Sequence, residues 1–118
     1  MPSWNAAGKI QTVLGLITPD ELGVTLTHEH LLIDLTVILN PPTESSARQQ
    51  FFAPMSQDSL AKVRYYGEVN YANYQVLDVD TAIAEVDLYK QYGGASLVDA
   101  TSIGIARDPV GLSRISRT

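Results

Sequence analysis

The chain has 118 residues, 45% of them hydrophobic, so composition allows one small domain with a core of its own. A formal net charge of −5, with no cluster of Lys and Arg, argues against nucleic acid or an anionic membrane as a main partner. The absence of cysteine excludes disulfides and thiolate metal sites, leaving histidine and carboxylate as the available metal ligands.

The opening Met1-Pro2-Ser3-Trp4-Asn5-Ala6-Ala7-Gly8-Lys9 lacks a basic start followed by an apolar stretch, so no signal peptide is expected. No apolar run is long enough to span a bilayer, and a cytoplasmic location is the expectation. Residues 10–17 read as a short strand interrupted at Gly15. Thr18 then serves as a helix N-cap, Pro19 as the first helical residue and Glu21 as the far side of a capping box, with Gly23 ending the turn. This segment re-aims the chain into the next strand.

That strand carries the best clue to chemistry. Gly23-Val24-Thr25-Leu26-Thr27-His28-Glu29-His30-Leu31-Leu32 holds both histidines of the chain, two residues apart. In a strand, side chains at i and i+2 point to one side, roughly 6.5 Å apart. Zinc takes histidine nitrogen at about 2.0–2.1 Å, so two imidazoles so placed can lean onto one ion. A helix would put them on different faces. A short His-x-His also arises as a structural or surface accident, and both readings stand on the pattern alone. The context favours the metal, because α/β folds keep their sites at strand exits. By alternation Glu29 is expected to point away from the histidines.

Residues 33–77 show no clean period, and 40–46, with Pro41-Pro42, has loop composition. Gln57 to Tyr66 is expected to form a short helix with Leu60 and Val63 facing inward. Tyr65, Tyr66, Tyr71 and Tyr74 cluster here, either as packing within the loop or as lining of a substrate pocket. A helix over 79–92 follows, capped by Asp78 or Asp80, with Val79, Ile83 and Val86 on one stripe and Gly93-Gly94 at its end. Residues 95–101 read as a buried strand of the parallel kind. Asp108 and Pro109 then open another helix whose stripe begins with Leu112 and Ile115, and Arg107 is expected to brace the loop before it.

Strands alternating with helices make this an α/β chain. It reads as a single partial domain over residues 1–118, because a closed (β/α)₈ barrel needs about 250 residues and eight strands. Four segments, Gly8–Gly15, Leu22–His30, Gly93–Thr101 and Gly104–Pro109, together resemble the phosphotriesterase family of the amidohydrolase superfamily. The most specific is Thr25-Leu26-Thr27-His28-Glu29-His30 after Thr12-Val13-Leu14-Gly15.

The resemblance implies the N-terminal portion of a (β/α)₈ TIM barrel, incomplete in this chain. It implies a binuclear divalent metal centre, usually zinc, with His28 and His30 as ligands of the more buried ion. The family's other ligands (a carbamylated lysine on the fourth strand, histidines on the fifth and sixth, an aspartate on the eighth) have no counterpart in the segments matched. It further implies hydrolysis of a small-molecule phosphotriester, lactone, carboxylic ester or N-acyl amino acid by a hydroxide generated at the metal pair. Whole members of the family are often dimers, so a homo-oligomer is an expectation.

Asp99 has two readings beside that site. It can accept the non-ligating N–H of a metal-bound histidine and fix its tautomer, or it can bond to loop backbone. The rival to the enzyme is a truncated, non-catalytic remnant lacking most metal ligands.

Overall fold

A computed structural model describes residues 5–67 and 69–118. The described residues fall into two compact units, one built from the chain up to Leu32 together with Asp78–Thr118, the other from Ile33–Leu77.

In the first unit, residues 10–17 are a hairpin and not one interrupted strand. β1 (Ile10–Thr12) pairs antiparallel with β2 (Gly15–Ile17), Thr12 opposite Gly15. Gly15 has φ 135°, a backbone conformation closed to residues with a side chain, and this lets the chain reverse after Val13-Leu14. The Thr12 hydroxyl secures the reversal, accepting from Leu14 N (3.1 Å) and donating to Gly15 O (2.9 Å). One 3₁₀ turn over Pro19–Glu21 follows, and Glu21 accepts both the backbone N–H and the hydroxyl of Thr18 (2.7 and 2.8 Å). Those hydrogen bonds hold its carboxyl below the ordinary range.

β3 (Thr25–Glu29) and β6 (Ser96–Asp99) form the parallel pair that the sequence anticipates. Tyr89, on α3 (Val79–Gln91), locks them at one end: its hydroxyl lies 2.8 Å from Val24 O and 3.1 Å from Ser96 O. The ring covers Gly94, where a Cβ would come within 2.2 Å of it, so that position must stay glycine. Asp78 caps α3 through Thr81, and Asp108 caps α4 (Pro109–Ile115) by accepting from Val110 N and Gly111 N (3.0 and 2.9 Å). The apolar stripes of the two helices meet at Leu32, Ala82 and Ile115, surrounded by Leu31, Val79, Ile83, Val86 and Leu112. Burying a Leu or Ile side chain contributes about 1.5–3 kcal/mol. The core is thus anchored two residues beyond His30.

The second unit is folded where the sequence suggests an aperiodic loop. β4 (Ile33–Asp34) pairs antiparallel with β5 (Gln75–Val76), and Gln75 Nε2 donates to Asp34 Oδ2 (2.9 Å). α1 (Ser45–Phe51) begins inside the stretch of loop composition, because Glu44 caps it by accepting from Ser46 N and Ala47 N (3.1 and 2.8 Å). Seven residues are too few to display a helical period. α2 (Gln57–Tyr66) runs from Ser56 to Gly67, but its packed side passes through Ser59 and Val63, which leaves Leu60 47% exposed and not inward. Asn70 is buried and holds the unit together, donating to Gln50 O and Ala53 O (3.3 and 2.9 Å) and accepting from Asn73 N (3.3 Å).

Candidate metal site

The β-branched and apolar residues before His28 make β3 a strand, and its pairing with β6 carries both histidines to the strand's exit. The ladder is not regular there. Between the pairs Leu26–Leu97 and Glu29–Asp99, β3 contains one more residue than β6, a bulge that falls on Thr27 and His28. Bulges re-aim side chains beside functional sites, and strict alternation therefore does not decide where Glu29 points.

The imidazoles of His28 and His30 come together, their ring centroids 5.3 Å apart and their planes at 72°. Two imidazoles bound to one tetrahedral ion through bonds of about 2.0–2.1 Å have centroids roughly 5 Å apart. The observed separation is close to that value. His28 is exposed and His30 half-buried, so one ring faces solvent while the other is held from behind.

What holds His30 is Thr101. Its Oγ1 lies 2.9 Å from His30 Nδ1, and the residue is 1% exposed. Thr101 is itself clamped through both of its backbone polar groups. Its backbone N–H donates to Asp99 Oδ1 (2.9 Å), and its carbonyl accepts from Arg107 Nε (2.6 Å). The other oxygen of Asp99 accepts from Leu31 N (3.0 Å), tying the residue after His30 to β6. Both oxygens of Asp99 thus accept from backbone N–H groups, while Arg107 braces the loop as expected.

Among the described residues no three or more His, Cys, Asp or Glu side chains gather where they could hold a metal ion. Of the four clustered tyrosines, Tyr65 and Tyr66 are exposed and Tyr71 packs on Phe51 and Phe52. Tyr74 lines an open cleft of about 770 Å³ within the second unit, beside Leu39, Phe51, Lys62 and Asn70. Thr101 is the residue that sequence reasoning passes over. Its signal was available as Asp99-Ala100-Thr101 at a strand exit, where an i, i+2 pair of polar side chains flanks a turn.

The phosphotriesterase family model matches residues 8–118. The phosphotriesterase-related protein of Drosophila willistoni is 39% identical, the match covering 84% of this chain and 29% of that protein. The N-acetyltaurine hydrolase of Dictyostelium discoideum is 31% identical over 93% of this chain and 35% of its own length. Among solved structures, a resiniferatoxin-binding protein from Rhodobacter sphaeroides superposes with a TM-score of 0.84 at 45% identity, over 94% of this chain and 31% of that one. The chain spans about a third of the length of each of these. Among the described residues no helix is long and apolar enough to cross a membrane.

Proposed function

Because the chain belongs to the phosphotriesterase family, we propose that it supplies the two-histidine part of a zinc-dependent hydrolase acting on ester-type bonds of small molecules. The observation that carries this is the meeting of the His28 and His30 rings at the exit of a parallel strand, at a separation that suits one ion. The family's hydrolase relatives support the reaction class, and the name of the Dictyostelium protein makes an N-acyl bond the second class to assay.

When bound, the metal supplies a Lewis acid and a water made acidic enough to ionise near neutral pH. The residues of this chain do the holding. His28 and His30 each offer a neutral ring nitrogen, and the Thr101 hydroxyl engages the other nitrogen of His30. Asp99 and Arg107 fix the backbone of Leu31 and Thr101 around that ring, so the His30 donor is held before a cation arrives. Two imidazoles leave a tetrahedral ion two donors short, and those come from solvent, substrate, further polypeptide or a second copy. This shortfall favours one alternative: a zinc-holding segment without turnover of its own.

Zinc content and hydrolysis of an aryl ester, a lactone, a phosphotriester and an N-acetyl amino acid, measured on the chain and on H28A/H30A, test the reading. Zinc uptake that the double variant loses is the expected result, without turnover from these two ligands alone. Zinc-dependent turnover that the double variant also loses would show that this chain assembles a working site by itself. Turnover that survives both substitutions would overturn it.

A further inference from the structure

We infer that Thr101 is a positioning residue for His30, fixing that imidazole with its proton on Nδ1 so that Nε2 is the nitrogen presented to a cation. The inference rests on His30 as a ligand for its purpose, but not for its structural content.

The hydrogen bond is short enough to matter and placed where it cannot wander. Thr101 Oγ1 and His30 Nδ1 are 2.9 Å apart, and the hydroxyl belongs to a fully buried residue. A threonine side chain has one rotatable bond carrying its oxygen, so a fixed backbone nearly fixes the hydroxyl. Here the backbone is fixed twice: Asp99 takes the N–H of Thr101 and Arg107 gives to its carbonyl. Asp99 also takes Leu31 N, so the same carboxylate sets the backbone on both sides of the His30–Thr101 contact. The hydroxyl can give or take the hydrogen of this bond, but by occupying Nδ1 it leaves Nε2 as the nitrogen open to a cation. An Nε2 that gives its lone pair to a cation requires the proton on Nδ1, donated to Oγ1. His28 has no such partner among the described hydrogen bonds, so the two rings are held unequally. Carboxylates and backbone carbonyls commonly orient a metal-bound imidazole; here a hydroxyl does so, with the carboxylate acting one step removed, through the backbone.

The test needs no turnover. In the metal-free chain, the ¹⁵N shifts of the His30 ring report its tautomer directly. The wild-type chain is expected to show His30 protonated on Nδ1. In T101V the hydroxyl is gone at nearly constant shape, and His30 is expected to relax toward the Nε2-protonated form with rapid exchange. T101S restores the hydroxyl and is expected to restore the wild-type tautomer. In parallel, zinc affinity measured by titration with zinc alone is expected to fall about 10–100-fold in T101V and to recover in T101S.

A wild-type His30 protonated on Nε2 would overturn the inference outright. So would a T101V tautomer like wild type, or a T101S tautomer like T101V. If T101V fails to fold, wild type and T101S still decide. If the tautomer follows Thr101 while no form takes up zinc, the positioning stands and the metal reading falls.

Discussion

Replacing Gly111 by alanine separates two opposed effects whose balance follows from the packing. In an exposed helix, Gly→Ala stabilises by roughly 0.8–1 kcal/mol through helix propensity alone. Gly111 is buried on α4, and a Cβ there would stand 2.5 Å from Leu32 Cδ1 and 2.6 Å from Asp108 Oδ2. Leu32 is 2% exposed and belongs to the core, so it cannot step aside without opening space elsewhere. Such overpacking costs about 1–3 kcal/mol. Asp108 can move, but only by releasing Val110 N and Gly111 N, and losing an N-cap costs about 1 kcal/mol. The sum is net destabilisation of about 1–3 kcal/mol, with the propensity gain already deducted. Urea unfolding, read with a thermal melt, measures it; for a chain of this size the melt should drop by roughly 3–5 °C per kcal/mol. A G111A variant that melts above wild type would show that propensity wins and that α4 does not press on Leu32 as described.

Two further perturbations probe other parts of the fold. N70A removes the buried amide that serves Gln50 O, Ala53 O and Asn73 N, and is expected to cost about 2–4 kcal/mol, seen as early loss of amide-exchange protection within residues 33–77. Asp78 is held below its ordinary pKa chiefly by the Thr81 hydroxyl, then by the Thr81 N–H. A depressed folded-state pKa means stability present above the unfolded value and lost as pH falls through the folded one. The melting temperature of D78A should therefore lie below wild type at pH 7, with the gap closing under acid; a gap that is constant with pH would contradict the capping account.

The legible parts of the chain were those where one residue type has one physical reason to be there. Thr18-Pro19-Glu21, Asp78 before α3 and Asp108-Pro109 before α4 announced helix starts, because caps and first-turn prolines satisfy orphan N–H groups locally. The stripes of Val79, Ile83, Val86, Leu112 and Ile115 located the core of the first unit. Family membership was legible from Thr25–His30 and the glycine-bounded segments after it, and the comparisons bear it out. What escaped depended on partners distant in sequence. The extra residue in β3 exists only relative to β6, and the Thr101–His30 bond spans 71 positions. The hairpin at Gly15 looked like an interruption because a strand pattern does not show which way the chain turns at a glycine. α1 was too short for its period to outweigh the proline- and serine-rich composition before it.

The most direct test of the account is zinc-edge X-ray absorption on the zinc-loaded chain, with H28A and H30A beside it. Two imidazole nitrogens at about 2.0–2.1 Å in the wild type, and one in each single variant, is the predicted result. A first shell that the substitutions leave unchanged, or one with no imidazole scattering, would contradict the assignment of His28 and His30 as a shared metal site.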